Sequence, residues 1–222
     1  YYTDETRTTL VFAPQNLTSF TAPDSLRTIL PNAFSGNYRL ASVDLGNVTS
    51  IGDYAFADCS GSGFHRVTIP ASVTEMGEGV FYGCAYLDEA NVQADIAVLP
   101  AYTFALCGMT KVTLSDSIVA LGDYAFHYTD FVTLDLTGTS VRELGSFVFS
   151  NTWKLTDIRL PALTQVGYGT FYHAYDNVMA SAYPLKSVSF AEGTTDIGTA
   201  TFYGSGGFPN LTTIDLPDSV RD

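Results

Sequence analysis

A six-residue pattern with apolar residues at its first, fourth and sixth places returns along the whole chain. The copies are Leu17-Phe20-Ala22, Leu40-Val43-Leu45, Phe64-Val67-Ile69, Leu87-Ala90-Val92, Met109-Val112-Leu114, Phe131-Leu134-Leu136, Leu155-Ile158-Leu160, Leu185-Val188-Phe190 and Leu211-Ile214-Leu216. Successive copies begin 22 to 24 residues apart, except for steps of 30 and 26 residues towards the C-terminus. A period in this range marks a solenoid. Each repeat is one coil that cannot bury its apolar side alone, so neighbouring coils must stack to make a continuous core.

Two further columns keep the same phase. One is apolar-x-x-apolar-Gly: Val48-Ile51-Gly52, Val73-Met76-Gly77, Ile118-Leu121-Gly122, Val141-Leu144-Gly145 and Leu163-Val166-Gly167, with Ile197-Gly198 as a partial copy. Four residues after each of these glycines comes a Phe, namely Phe56, Phe81, Phe126, Phe149, Phe171 and Phe202, and Phe34 and Phe104 continue the column. The alternation that ends each motif makes a short strand with one inward face, and the Gly permits a backbone turn that a β-carbon would hinder. Coils stacked at the strand spacing of about 4.8 Å lay the Phe rings over one another and give a sheet roughly 40 Å long. The expected fold is a mainly β repeat solenoid, right-handed and curved, with one parallel β-sheet and short helical turns or irregular segments opposite. Residues 1–16, with the apolar run Leu10-Val11-Phe12, are expected to cap the first coil, and residues 17–222 to form about nine units, the last incomplete.

The phrases "VTSIGDYAFADC", "VTEMGEGVFYGC" and "IVALGDYAFHYT" resemble the BspA-like leucine-rich-repeat family over about residues 17–220. Better-known leucine-rich repeats carry an Asn or Cys ladder after the strand. Here Pro70, Pro161 and Pro217 follow strands instead, a departure that the BspA-like type shares. The resemblance implies a secreted or surface-attached bacterial protein, with adhesion to a host or neighbouring-cell protein as its role.

Composition narrows the function classes. With 10 Lys and Arg against 23 Asp and Glu, the formal net charge is −13. Nucleic-acid binding draws on a basic stripe that releases counterions, and the chain has no run of Lys or Arg. No stretch of eighteen apolar residues is present to make a membrane-spanning helix. The sequence also offers no catalytic constellation. His65, His127 and His173 fall at unrelated phases of the repeat, and neither a phosphate loop nor a nucleophile elbow occurs. The Gly-Asp pairs at Gly52-Asp53 and Gly122-Asp123 are read as recurrent turns, with Asp capping a short helical turn. No enzyme activity, metal or cofactor is expected.

The candidate binding residues lie in two places. Outward residues of each strand are the third and fifth of the motif, which sets Arg66, Glu89 and Lys111 in one column on successive strands and Asp135 beside Arg159. The 30-residue step holds an insertion, residues 172–184, whose Tyr172, Tyr175 and Tyr183 offer large contact area at little entropic cost. A ligand of these residues is expected to be a protein. A structural spacer and a carbohydrate-binding module are the alternatives, although the strand columns lack aromatic platforms.

The three cysteines, Cys59, Cys84 and Cys107, each follow a column Phe by three residues, where other coils carry Asn37, Thr129, Thr152, Ala174 and Ser205. The column selects for small side chains, and buried free thiols are expected there. A thiol count under denaturing, non-reducing conditions should therefore give three; a count of one would reveal a disulfide.

Overall fold

The computed structural model describes residues 2, 5–173, 183–204 and 207–220 of the chain. Each copy of the motif forms a strand: Ser19–Thr21, Ser42–Asp44, Arg66–Ile69, Glu89–Val92, Lys111–Leu114, Thr133–Asp135, Asp157–Leu160, Ser187–Phe190 and Thr213–Asp215. All pairings between them are parallel and hold one register. The fourth motif residues face one another in the runs Phe20↔Val43, Val67↔Ala90↔Val112 and Leu134↔Ile158↔Val188↔Ile214. The hydrogen-bonded ladder is interrupted twice, after Ser42–Asp44 and after Lys111–Leu114.

Alongside the expected ladder runs a second one, built by the residues just before each column Gly. It joins Thr9–Leu10, Thr28–Ile29, Ser50–Ile51 and Glu75–Met76 in one run and Val98–Leu99, Ala120–Leu121, Glu143–Leu144 and Gln165–Val166 in another, again all parallel. The segment before the first motif joins this ladder through Thr9↔Thr28 and Leu10↔Ile29. Turns, with no helix among the described residues, make up the rest of each coil.

The column glycines serve this close stacking. A β-carbon on Gly52 would sit 2.4 Å from the Pro31 nitrogen, on Gly77 2.5 Å from the Asp53 nitrogen, and on Gly167 2.4 Å from the Ser146 nitrogen. The backbone of the preceding coil thus occupies the space a side chain needs. None of these three glycines has a positive φ, so proximity, rather than conformational freedom, selects them. The neighbouring aspartates bind the next coil instead of capping a helical turn. Asp53 accepts the Glu78 backbone N–H at 2.9 Å and Asp123 that of Ser146 at 2.7 Å.

Left-handed backbone occurs two residues before and two after the Phe column. The places are held by Asn32, Tyr54, Tyr102, Tyr124 and Phe147 on one side and by Asp58, Leu106, Tyr128 and Asn151 on the other, at φ between 53° and 59°. Each such residue costs about 1–2 kcal/mol when it is not Gly. The gain is a further line of contact between coils. The Phe34 amide donates to Ala55 O at 2.7 Å, Phe56 to Val80 O at 2.9 Å, Phe81 to Thr103 O at 3.0 Å and Phe104 to Ala125 O at 2.9 Å.

Inside the coils the Phe rings form one stack. From Phe34 through Phe56, Phe81, Phe104, Phe126, Phe149 and Phe171 to Phe202, successive centroids lie 4.5–5.9 Å apart and successive planes are within 18° of parallel. All are buried except Phe202, which is half-buried. The small-residue column beside the stack supplies donors as well as fit. The thiols of Cys59, Cys84 and Cys107 donate to the carbonyls of Phe34, Phe56 and Phe81 on the preceding coil at 3.3, 3.1 and 3.0 Å. Thr129 and Thr152 donate to the column Phe of their own coil, at 2.9 and 2.8 Å, and the Asn37 amide reaches Pro14 O at 3.1 Å. Burial pushes the Cys84 thiol well above its ordinary pKa, which keeps it protonated and able to donate.

Truncating the middle of the stack should remove packing on both sides at once. Phe104→Ala is expected to cost about 3–5 kcal/mol in denaturant unfolding, and Phe202→Ala distinctly less. Equal losses at the two positions would show that ring stacking is not what the coils depend on.

Candidate binding surface

Because the motif strands pair in register, each outward residue is matched by the residue at the same place one coil away. Arg66 pairs with Glu89 and Glu89 with Lys111 across successive strands. Glu89 takes both cations, with Arg66 Nε at 3.0 Å and Lys111 Nζ at 2.6 Å. The hydrogen bond from Lys111 holds the Glu89 carboxyl below its ordinary pKa. Asp135 faces Arg159 at the longer distance of 3.9 Å, and its pKa is lowered mainly by hydrogen bonds from Thr137. The Ser187 hydroxyl donates to Asp157 at 2.5 Å and lowers that carboxyl too. The strand face brings together five of the proposed residues, Arg66, Glu89, Lys111, Asp135 and Arg159, in two clusters separated by the second interruption of the ladder.

Each cluster borders a shallow depression. One, about 590 Å³, is lined by Asp135, Asp157, Arg159, Ser187, Ser189 and Asp215 among others, and carries three carboxylates around one guanidinium. The other, about 350 Å³, lies at the first interruption between Asp44 and Arg66. Both are open, with polar and apolar side chains in their lining, and neither encloses its contents as a small-molecule pocket does.

The insertion behaves differently from expectation at one residue. Tyr172 is half-buried and Tyr175 lies outside the described residues. Tyr183 is fully buried, which corrects the expectation that it faces a ligand. Its ring stacks on His173 with centroids 4.5 Å apart and meets Trp153 and Phe208 edge to face at 5.7 and 5.2 Å. Its hydroxyl lies 3.3 Å from Thr152 Oγ1, while Asn210 donates to its carbonyl at 2.7 Å. The longer step therefore returns a large aromatic to the core, and burial raises the Tyr183 phenol pKa to about 12.

Two ion-pair columns escaped the sequence reading. His65 Nδ1 lies 3.0 Å from Asp88, and Lys154 Nζ lies 2.8 Å from Asp130. Their signal was the same spacing of one coil, applied one place ahead of the third motif residue for His65 and just ahead of the motif for Lys154. The histidines do not converge: His127 bonds Ser150 at 2.6 Å and His173 bonds Gly207 O at 2.8 Å. Among the described residues no group of three or more His, Cys, Asp or Glu is placed to hold a metal ion. No helix long and apolar enough to cross a membrane occurs among the described residues.

The model of the BspA-type leucine-rich-repeat region matches six copies, over residues 8–133, 60–178 and 175–222. This chain belongs to the BspA-type leucine-rich-repeat family. Among solved structures, a leucine-rich cell surface protein of Faecalibacterium prausnitzii A2-165 is 21% identical with a TM-score of 0.57, over 92% of this chain and 62% of that one. A leucine-rich-repeat protein of Bacteroides ovatus ATCC 8483 is 20% identical with a TM-score of 0.52, over 92% of this chain and 74% of that one. At such identities the likeness establishes the solenoid fold, and the chain spans less than two thirds of the first relative. No curated protein matches the sequence.

The geometry around Glu89 sets a direct expectation for this BspA-type chain. Followed by carboxyl NMR, Glu89 should titrate below the ordinary Glu value in the intact chain and move back towards it in Lys111→Ser. A titration unaffected by that change would mean the Lys111 contact is not formed in solution.

Proposed function

We propose that this solenoid is a non-catalytic protein of the cell surface or extracellular space that binds another protein, of a host or neighbouring cell, without a cofactor. The observation that carries the reading is the in-register charge ladder Arg66-Glu89-Lys111 together with Asp135-Arg159. Within each of the two clusters the strands beneath are hydrogen-bonded, so the charges are held at fixed spacing before any partner arrives. That removes part of the ordering cost of association. The ion pairs are exposed, and such pairs contribute typically below about 1 kcal/mol each. A partner presenting its own carboxylates and cations can therefore exchange with them at little loss. The description of the Faecalibacterium relative as a cell surface protein agrees with this placement.

Charge complementarity of this kind acts mainly on association rate and on salt dependence. Binding is expected to be weak and to fall as ionic strength rises. The test is a panel of immobilised extracellular-matrix and serum proteins, probed with the intact chain and with the Arg66→Ser/Lys111→Ser/Arg159→Ser variant. Any bound protein should bind the variant about tenfold less tightly, while the melting temperature stays nearly the same. Unchanged binding by the variant would take the contact away from the strand face.

A further inference from the structure

A second surface is built by the turns around the Phe column. In most coils one aromatic ring stands outside this turn, and it comes from either of two places. Tyr54, Tyr102, Tyr124 and Phe147 stand two residues before the column Phe; where that place is Gly79, Gly169 or Ala200, the residue just after the Phe is Tyr82, Tyr172 or Tyr203 instead. The rings join into a ribbon. Tyr82 meets Tyr54 and Tyr102 edge to face at 6.0 and 6.5 Å, and Tyr102, Tyr124 and Phe147 then stack with centroids 4.9 Å apart.

At Gly169 the parallel stacking ends. A β-carbon there would lie 2.8 Å from Phe147 Cε1, so the Phe147 ring rests directly against this glycine. Tyr168 and Tyr172 approach Phe147 edge to face, both at 5.5 Å, and Tyr172 then stacks on Tyr203 at 5.9 Å. A cleft of about 360 Å³ opens at this change of direction, lined by Tyr124, Phe147, Tyr168, Tyr172 and Tyr203 with His127, Ser150 and Asn151 as its polar residues. Tyr168 and Tyr203 are 46% and 58% exposed.

The polar edge has a defined sense. Ser150 donates its single hydroxyl proton to Phe147 O at 2.7 Å, so it accepts from His127 Nδ1 at 2.6 Å. His127 Nδ1 then carries the proton, which leaves Nε2 as an acceptor on a neutral ring. Burial lowers the His127 pKa, which agrees with a neutral imidazole at physiological pH. Among the described residues, no Asp, Glu, Lys or Arg lines the cleft.

We propose that this cleft binds a neutral saccharide, with a sugar ring laid against the exposed aromatic rings and a hydroxyl donated to His127 Nε2. The reasoning is chemical. The C–H bonds on one face of a sugar ring carry partial positive charge and suit the negative face of an aromatic ring. The sugar's hydroxyls require a few fixed polar partners beside those rings. Among the described residues that line the cleft, an anionic ligand would find no cation and a cationic one no carboxylate, and the chain as a whole carries a net charge of −13. A proline-rich segment needs an extended groove between aromatic ridges, whereas the ribbon opens at one place and is closed by ring-on-ring stacking through Tyr102, Tyr124 and Phe147.

This site lies off the strand face and does not depend on the protein-binding proposal. The test is ligand-observed NMR and calorimetry with maltotetraose, cellotetraose, mannotetraose and xylotetraose, each up to about 10 mM, with a proline-rich decapeptide as rival. Saturable binding of at least one tetrasaccharide is expected. It should weaken about tenfold or more in Tyr168→Ser/Tyr203→Ser, both exposed positions, with little change in melting temperature. Binding should persist in Tyr38→Ser/Tyr86→Ser, which removes exposed tyrosines elsewhere, and in the Arg66→Ser/Lys111→Ser/Arg159→Ser variant. No saturable binding by any of the four sugars, equal binding by the cleft variant, equal loss in the Tyr38/Tyr86 variant, or preference for the decapeptide would each overturn the proposal.

Discussion

The turn that carries the column Phe is where backbone and side-chain forces are made to agree. Its amide donates to the next coil while its ring lies on the next ring, and both need coils held about one strand spacing apart. The left-handed residues on either side are the means. They aim alternate N–H groups along the solenoid axis at a conformational cost that most of the chain bears without Gly. Because every coil repeats the same arrangement, this cost is offset locally by contacts with its own neighbours, as expected for a structure stabilised mainly between adjacent units. The Cys, Thr and Asn column closes the account by donating to carbonyls beside the same stack.

Periodicity made the architecture legible. The apolar places of the motif, the Phe stack and the outward columns all followed from phase alone, because a parallel in-register ladder converts sequence spacing directly into spatial adjacency. The charge pairs Arg66-Glu89-Lys111 and Asp135-Arg159 are the clearest instance, and His65-Asp88 was within reach of the same rule. The second ladder was hidden because its strands are only two residues long, too short for alternation to announce them. That Gly52, Gly77 and Gly167 leave room for the preceding coil was not legible for a related reason. A sequence shows that a side chain is missing but does not show whether the backbone needed freedom or a neighbour needed room.

Tyr183 marks the limit of phase-based reading. Once the spacing stretches to 30 residues, inward and outward can no longer be counted from the motif, and a tyrosine that looks like surface decoration becomes one of the larger buried side chains. The aromatic ribbon was invisible for a different reason. Its rings alternate between two sequence places, two before or one after the column Phe, so no single column of the repeat displays it. Only the fold shows that these places share one surface, and that two faces of the coil differ in chemistry: ion pairs and hydrogen bonds along the strands, a run of aromatic rings along the turns.

The interruptions of the two ladders are never at the same level. Where the motif strands part, after Ser42–Asp44 and after Lys111–Leu114, the short ladder runs on through Ile51↔Met76 and Leu121↔Leu144. Where the short ladder parts, after Glu75–Met76, the motif strands Arg66–Ile69 and Glu89–Val92 are joined along their whole length. The joints are staggered like the courses of a brick wall. A tensile load along the solenoid therefore meets at least one unbroken seam at each of these levels.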